Sequence, residues 1–279
     1  MEPVFQHITV PVDGSTTSER GVTFALELAR DGGRISFCSV VDPMLACAPA
    51  AVGAAFDPGA MLNVLDQDAA LFCSRAHDAA EMSGIASDTR VLHGQTIAEI
   101  PSFAAHNRSD AIVIGTHGRS GIARSLLGSV AEGVLRHAHI PVVSVHEDDE
   151  MRTGPLAVAM DTSPAARAAL EVAISIAKAR RMSLILLHAC DTSPNPGKIN
   201  AMLDNAAELA RFHGVHAKVA VHEGEPANTL VHASDANDCS MIVMGTHGRS
   251  PLARLALGSV GAAVVERAIV PVVTVKCAA

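Results

Sequence analysis

Short apolar runs alternate along the chain with longer stretches in which apolar residues recur every three or four positions. Residues 7–12 form a β-branched run, and 19–30 repeat apolar residues at helical spacing, with Ser15 and Ser18 standing before them as candidate caps. Arg34–Val41 reads as a second strand, 61–83 as a long helix, 88–93 as a third strand and Thr96–His106 as a helix. Ala111–Gly115 is a fourth strand, 125–137 a helix and 141–145 a closing strand, and the same order returns from 156–160 to 271–275. Strands that alternate with helices imply parallel pairing through right-handed crossovers, hence a three-layer α/β architecture.

The return is a repeat in sequence as well as in pattern. Ile-Val-Ile-Gly-Thr-His-Gly at 112–118 recurs as Ile-Val-Met-Gly-Thr-His-Gly at 242–248, an offset of 130 that holds from His93-Gly94 and Glu223-Gly224 to the closing strands. Nearer the start, Val10-Pro11-Val12-Asp13 corresponds to Val158-Ala159-Met160-Asp161 at an offset of 148. The first repeat therefore carries 18 extra residues (148 less 130), which the Ala/Pro/Gly-rich stretch 42–60 accommodates. The acidic run Glu147-Asp148-Asp149-Glu150 lies at the join, so the chain divides into a domain at 1–146, a linker at 147–154 and a domain at 155–279.

Composition narrows the function. A net charge of −8, no Trp, no Tyr and seven Phe disfavour nucleic acid, which asks for a basic surface and stacking rings. No apolar stretch is long enough for a bilayer, and residues 1–7 have neither a basic start nor an apolar core, so no membrane association is expected. Six cysteines without a C-x-x-C pair suit a reduced, cytoplasmic setting.

The candidate chemistry sits where strands end. Gly115-x-x-Gly118 is followed after nine residues by Gly128-Ser129, and Gly245-x-x-Gly248 by Gly258-Ser259. Glycines at a strand end let the backbone approach an anion closely, and a glycine-serine pair before a helix places orphan amides beside it. Arg119 and Arg249 offer charge, and His117 and His247 are candidate acid–base groups or loop-positioning residues. Asp13 and Asp161 end the first strand of each repeat, as ligand acceptors or as turn residues. No Walker A loop, G-x-G-x-x-G fingerprint, nucleophile elbow or protein-built metal cluster is present in the sequence.

With these residues the chain resembles the universal stress protein family in its tandem form, of the branch that binds ATP through G-x2-G-x9-G-[ST]. The resemblance implies two five-stranded parallel sheets, each ordered 3-2-1-4-5 in an adenine nucleotide alpha hydrolase-like fold. It implies adenine contact at Asp13 and Asp161, a base pocket walled by Val41 and nucleoside contact at Pro11. Gly115, Gly118, Gly128, Ser129 and Val130 would surround ribose and phosphates, as would Gly245, Gly248, Gly258, Ser259 and Val260, with Mg2+ beside the triphosphate. ADP or AMP would suit the same cradle. The last strands would pair within the chain as a built-in pseudo-dimer, with a further homodimer also open. Ala159 in place of Pro11, Ala189 in place of Val41 and Pro251 in place of Gly121 predict unequal sites, with the first ranked the stronger; the reverse order stays open, because the 18-residue insertion could reshape or cover site one. Three functions stay open: a regulatory ATP-binding protein with an unidentified protein partner, a slow ATPase using His117 or His247, and a ligand-independent scaffold.

Overall fold

In the computed structural model, residues 5–44, 57–116, 127–190, 196–246 and 258–277 are described. Strand β1 (His7–Pro11) presents Ile8 and Val10 to one face of the sheet, and Ser15 caps helix α1 (Thr16–Ala29) by accepting from the Ser18 amide. There follow β2 (Arg34–Val41), α2 (Pro58–Met82), β3 (Ala86–His93), α3 (Thr96–His106), β4 (Ala111–Gly115), α4 (Ser129–His137) and β5 (Val142–Val145). The second repeat runs β6 (Leu156–Ala159), α5 (Pro164–Arg180), β7 (Leu184–Cys190), α6 (Pro196–Phe212), β8 (Ala217–Glu223), α7 (Pro226–Ala236), β9 (Met241–Gly245), α8 (Ser259–Arg267) and β10 (Val272–Val275). The helix expected over 125–137 begins only at Ser129, because Gly128 is its extended N-cap; residues 117–126 lie outside the described residues.

The ten strands of the described residues join one sheet in the order β3-β2-β1-β4-β5-β10-β9-β6-β7-β8. Each half is parallel and ordered 3-2-1-4-5, and the halves meet through antiparallel β5 and β10, with Val143 opposite Val273. Period-two alternation sends Val143, Val273, Val113 and Val243 to one layer and Val142, Val272, Ile112 and Ile242 to the other. Both apolar layers therefore continue through both repeats. Burial on two faces explains why the inner strands are runs of Val and Ile rather than alternating sequences.

Strand register refines the repeat. Pro11 lies beside Cys38 on β2, and its counterpart Ala159 lies beside Leu187 on β7. The offset in the second strand is therefore 149, one more than in the first, because the helix and turn between the first two strands together hold one residue more in the second repeat, where α5 has 17 residues against 14 in α1. The surplus of the first repeat becomes 19 (149 less 130) rather than 18. Eight of these residues lengthen α2, which has 25 residues against 17 in α6, and the helices end at equivalent positions, Met82 and Phe212.

Candidate functional site

The strand order reverses direction between β1 and β4, and between β6 and β9, and such a switch leaves a crevice beyond the carboxyl ends of the strands. A cavity of about 200 Å3 occupies the first crevice. Its described walls come from Pro11, Val12 and Asp13 after β1, Cys38 to Val40 on β2, Thr96 and Ile100 on α3, Ile114 to Thr116 after β4, and Gly128 to Ala131 at the start of α4. A cavity of about 400 Å3 occupies the second. There the walls are Ala159 to Asp161, Leu187 to Ala189, Pro226 and Leu230 on α7, Met244 to Thr246, and Gly258 to Gly261 on α8.

The first glycine of each loop is there because two backbones meet. A Cβ on Gly115 would lie 2.8 Å from the carbonyl carbon and oxygen of Thr17, and one on Gly245 would lie 2.7 Å from the carbonyl carbon of Ala165. Only a residue without a side chain lets the amino end of α1 or α5 sit against the strand end. The third glycine acts differently. Gly128 and Gly258 occupy the N-cap positions of α4 and α8 at ordinary extended angles (φ −61° and −60°) and supply no side-chain hydrogen bond. Gly128 N donates to Thr116 O at 2.8 Å and Gly258 N to Thr246 O at 2.9 Å, pinning both ends of each loop. The first-turn amides, which have no partner within the helix, belong to residues that line the cavity. A helix start of this kind favours anions.

Asp13 Oδ1 accepts from Ser15 N (3.0 Å) and Ser15 Oγ (2.6 Å), and Asp161 Oδ1 accepts from Ser163 N (2.9 Å) and Ser163 Oγ (2.5 Å). Both carboxylates thus hold the cap residue of the following helix and also stand at the cavity wall. Cys38 on the same wall has its thiol pushed up by burial and by nearby Cys73, so it stays a neutral thiol rather than a nucleophilic thiolate.

Of the residues singled out in the sequence, Pro11, Asp13, Gly115, Gly128, Ser129 and Val130 come together in the first cavity, and Asp161, Gly245, Gly258, Ser259 and Val260 in the second. His117, Gly118, Arg119, His247, Gly248 and Arg249 lie outside the described residues. The wall assigned to Val41 is formed by Val40 instead. Val41 pairs with His93, its carbonyl receives Gly94 N, and its true counterpart is Cys190, which does the same for Gly224. Ala189 therefore answers to Val40, because a one-residue slip along a strand exchanges faces. Thr96, Ile100, Pro226, Leu230 and His188 were also missed. They lie on α3, α7 and β7, outside the glycine motifs, and His188 is a buried histidine whose Nδ1 donates to Met160 O at 2.7 Å. Among the described residues, no group of three His, Cys, Asp or Glu side chains is placed to hold a metal ion, and no helix is long and apolar enough to cross a membrane.

The model of the universal stress protein family matches residues 5–146 and again 153–276, nearly the whole chain in two copies. The chain belongs to the universal stress protein family. A universal stress protein of Mycobacterium tuberculosis strain H37Rv is 33% identical over 187 residues, covering 61% of this chain and 63% of that protein's length. A second from the same strain is 30% identical over 216 residues, covering 70% and 72%. The crystal structure of a universal stress protein from Archaeoglobus fulgidus superposes with a TM-score of 0.78 at 22% identity, over 98% of this chain and 97% of that one, which places the tandem fold alongside it.

Proposed function

We propose that each cavity takes an adenine nucleotide, ATP or its ADP and AMP forms, and that the protein is a regulatory nucleotide sensor of the stress response rather than a strong catalyst. One observation carries this reading: each repeat gathers a strand-ending aspartate and a helix start capped only by glycine into one crevice at a switch of strand order. The phosphates would meet the first-turn amides of α4 or α8, and the base would lie toward Pro11 and Val40 or toward Ala159 and Ala189. Asp13 and Asp161 are the carboxylates among the described wall residues, and Ser15 and Ser163 each hold one oxygen. Mg2+ would therefore take its ligands chiefly from phosphate and water, and its chemistry is to neutralise the triphosphate.

Phosphoryl transfer needs a placed base and charge around the transferring group. The described walls supply amides and hydroxyls, so binding without fast turnover is the favoured reading. Nucleotide content of the purified protein, with ATP titration of wild type, Gly118→Val and Gly248→Val, tests it. Two equivalents of ATP per chain, one lost in each variant, are expected. No bound nucleotide and no titration heat would leave a scaffold. Phosphate release that disappears in His117→Ala while ATP still binds would make the protein a slow ATPase.

A further inference from the structure

The two cavities share a position and differ in their walls. In domain one Pro11 ends the central strand and Val40 closes the side toward β2; by strand register the same positions in domain two are Ala159 and Ala189. Two larger side chains become methyl groups, and the cavity goes from about 200 to about 400 Å3. Leu187 in place of Cys38, His188 in place of Ser39 and Met160 in place of Val12 add bulk in the opposite sense, but all three are buried, and His188 is turned to the carbonyl of Met160.

Pockets for small ligands run from roughly 300 to 1,000 Å3. The domain-two cavity lies inside that range as it stands, and the domain-one cavity lies below it. Val40 packs against the core layer that holds Ile100 and Ile114, both of which also line the first cavity. Enlarging that cavity means moving packed side chains, and close-packed interiors resist this. When only a fraction of a site is competent, its apparent dissociation constant rises by the inverse of that fraction.

We infer that the domain-two site is the preformed one and fills first, and that Val40 holds the affinity of the domain-one site down. This ordering rests on the nucleotide reading above and reverses the ranking that the smaller wall residues suggest from sequence. The two steps differ by about tenfold in dissociation constant, as they would if the open form of site one were about a tenth of the population.

The test is calorimetric titration of the nucleotide-stripped full chain with ATP and Mg2+. Wild type is expected to show two steps. Val40→Ala should tighten the weaker step and leave the stronger unchanged; Ala189→Val should weaken the stronger step. The double exchange, Val40→Ala with Ala189→Val, should reverse the order of filling, and thermal melts of each variant confirm that it is folded. Two equal steps, or a weaker step that Val40→Ala does not move, would overturn the ordering while leaving nucleotide binding intact. Absence of heat in every form would overturn the nucleotide reading and the ordering with it.

Discussion

Strands β4 and β9 carry the same burial pattern along Ala-Ile-Val-Ile-Gly and Met-Ile-Val-Met-Gly, whereas the outermost strands diverge: Val219 and Val221 of β8 are 43% and 46% exposed, while Val91 of β3, the counterpart of Val221, is partly covered. The inner strands of each repeat build the seam and the crevice; the outermost strands, β3 and β8, contribute to neither. An inner position answers to two packed layers, a parallel neighbour and, at the seam, an antiparallel one, so few residue types fit it. An outer position answers to one helix, and the helix itself changed length, from 25 residues in α2 to 17 in α6. The comparison teaches that the repeats are held alike by contact and released to differ where contact ends.

The largest test of that view is a charge in the seam. Val273 is fully buried opposite Val143, so Val273→Asp is expected to cost upwards of about 4 kcal/mol, since an unpaired buried carboxylate has no partner there. Urea unfolding would show this as loss of a folded baseline, while Val221→Asp on the exposed edge should shift the midpoint little.

Next come the packing glycines. Gly245→Ala places a methyl group 2.7 Å from Ala165 and should cost about 1–3 kcal/mol, as should Gly115→Ala against Thr17. Equal losses in both would support identical constraint on the inner halves; a loss in one repeat alone would break it.

Protonation should distinguish the repeats more gently. His7 is buried in domain one, and its pKa is lowered from 6.5 first by burial and then by Arg34; the counterpart in domain two is Pro155. The folded state holds this proton less tightly than the unfolded state. Its contribution is therefore intact above about pH 6.5 and lost as pH falls below that value, until the folded pKa is passed. Thermal melts of wild type and His7→Gln should converge on acidification, with the wild type losing more between neutrality and pH 5.

The smallest effect lies inside the seam itself. Thr274 Oγ1 donates to Val142 O at 3.2 Å, whereas the hydroxyl of its counterpart Ser144 is buried without a hydrogen-bond partner. Ser144→Ala is expected to be neutral or stabilising by about 0.5–1 kcal/mol, and Thr274→Val to destabilise by about 1 kcal/mol. Matching signs in denaturant titrations would show that the two hydroxyls are not inequivalent.

The chain's own pattern determined a good deal. Alternating strand and helix periods dictate a parallel three-layer fold, because each apolar run must be covered on two faces. The doubled glycine motif marks both crevices, since glycine at the strand end admits a backbone contact that a Cβ would block and glycine before the helix leaves the first-turn amides without a side-chain cap. The strand order within each half follows from the family resemblance, and the structure has it. Three matters were left to tertiary structure. Whether Val40 or Val41 faces the cavity depends on the pairing of β2 with β1, and one residue gained between the first two strands of the second repeat moved the register without leaving a mark in the glycine motifs. The joining of two sheets into one, which the family resemblance implies and the structure has, rests on β5 and β10 meeting across some 130 residues of chain, which local periodicity does not encode. The relative size of the two cavities depends on which side chains converge from several separate elements. Adjacent positions on one strand lie on opposite faces, and residues a hundred apart share a wall, so only the folded chain decides which of them a ligand would meet.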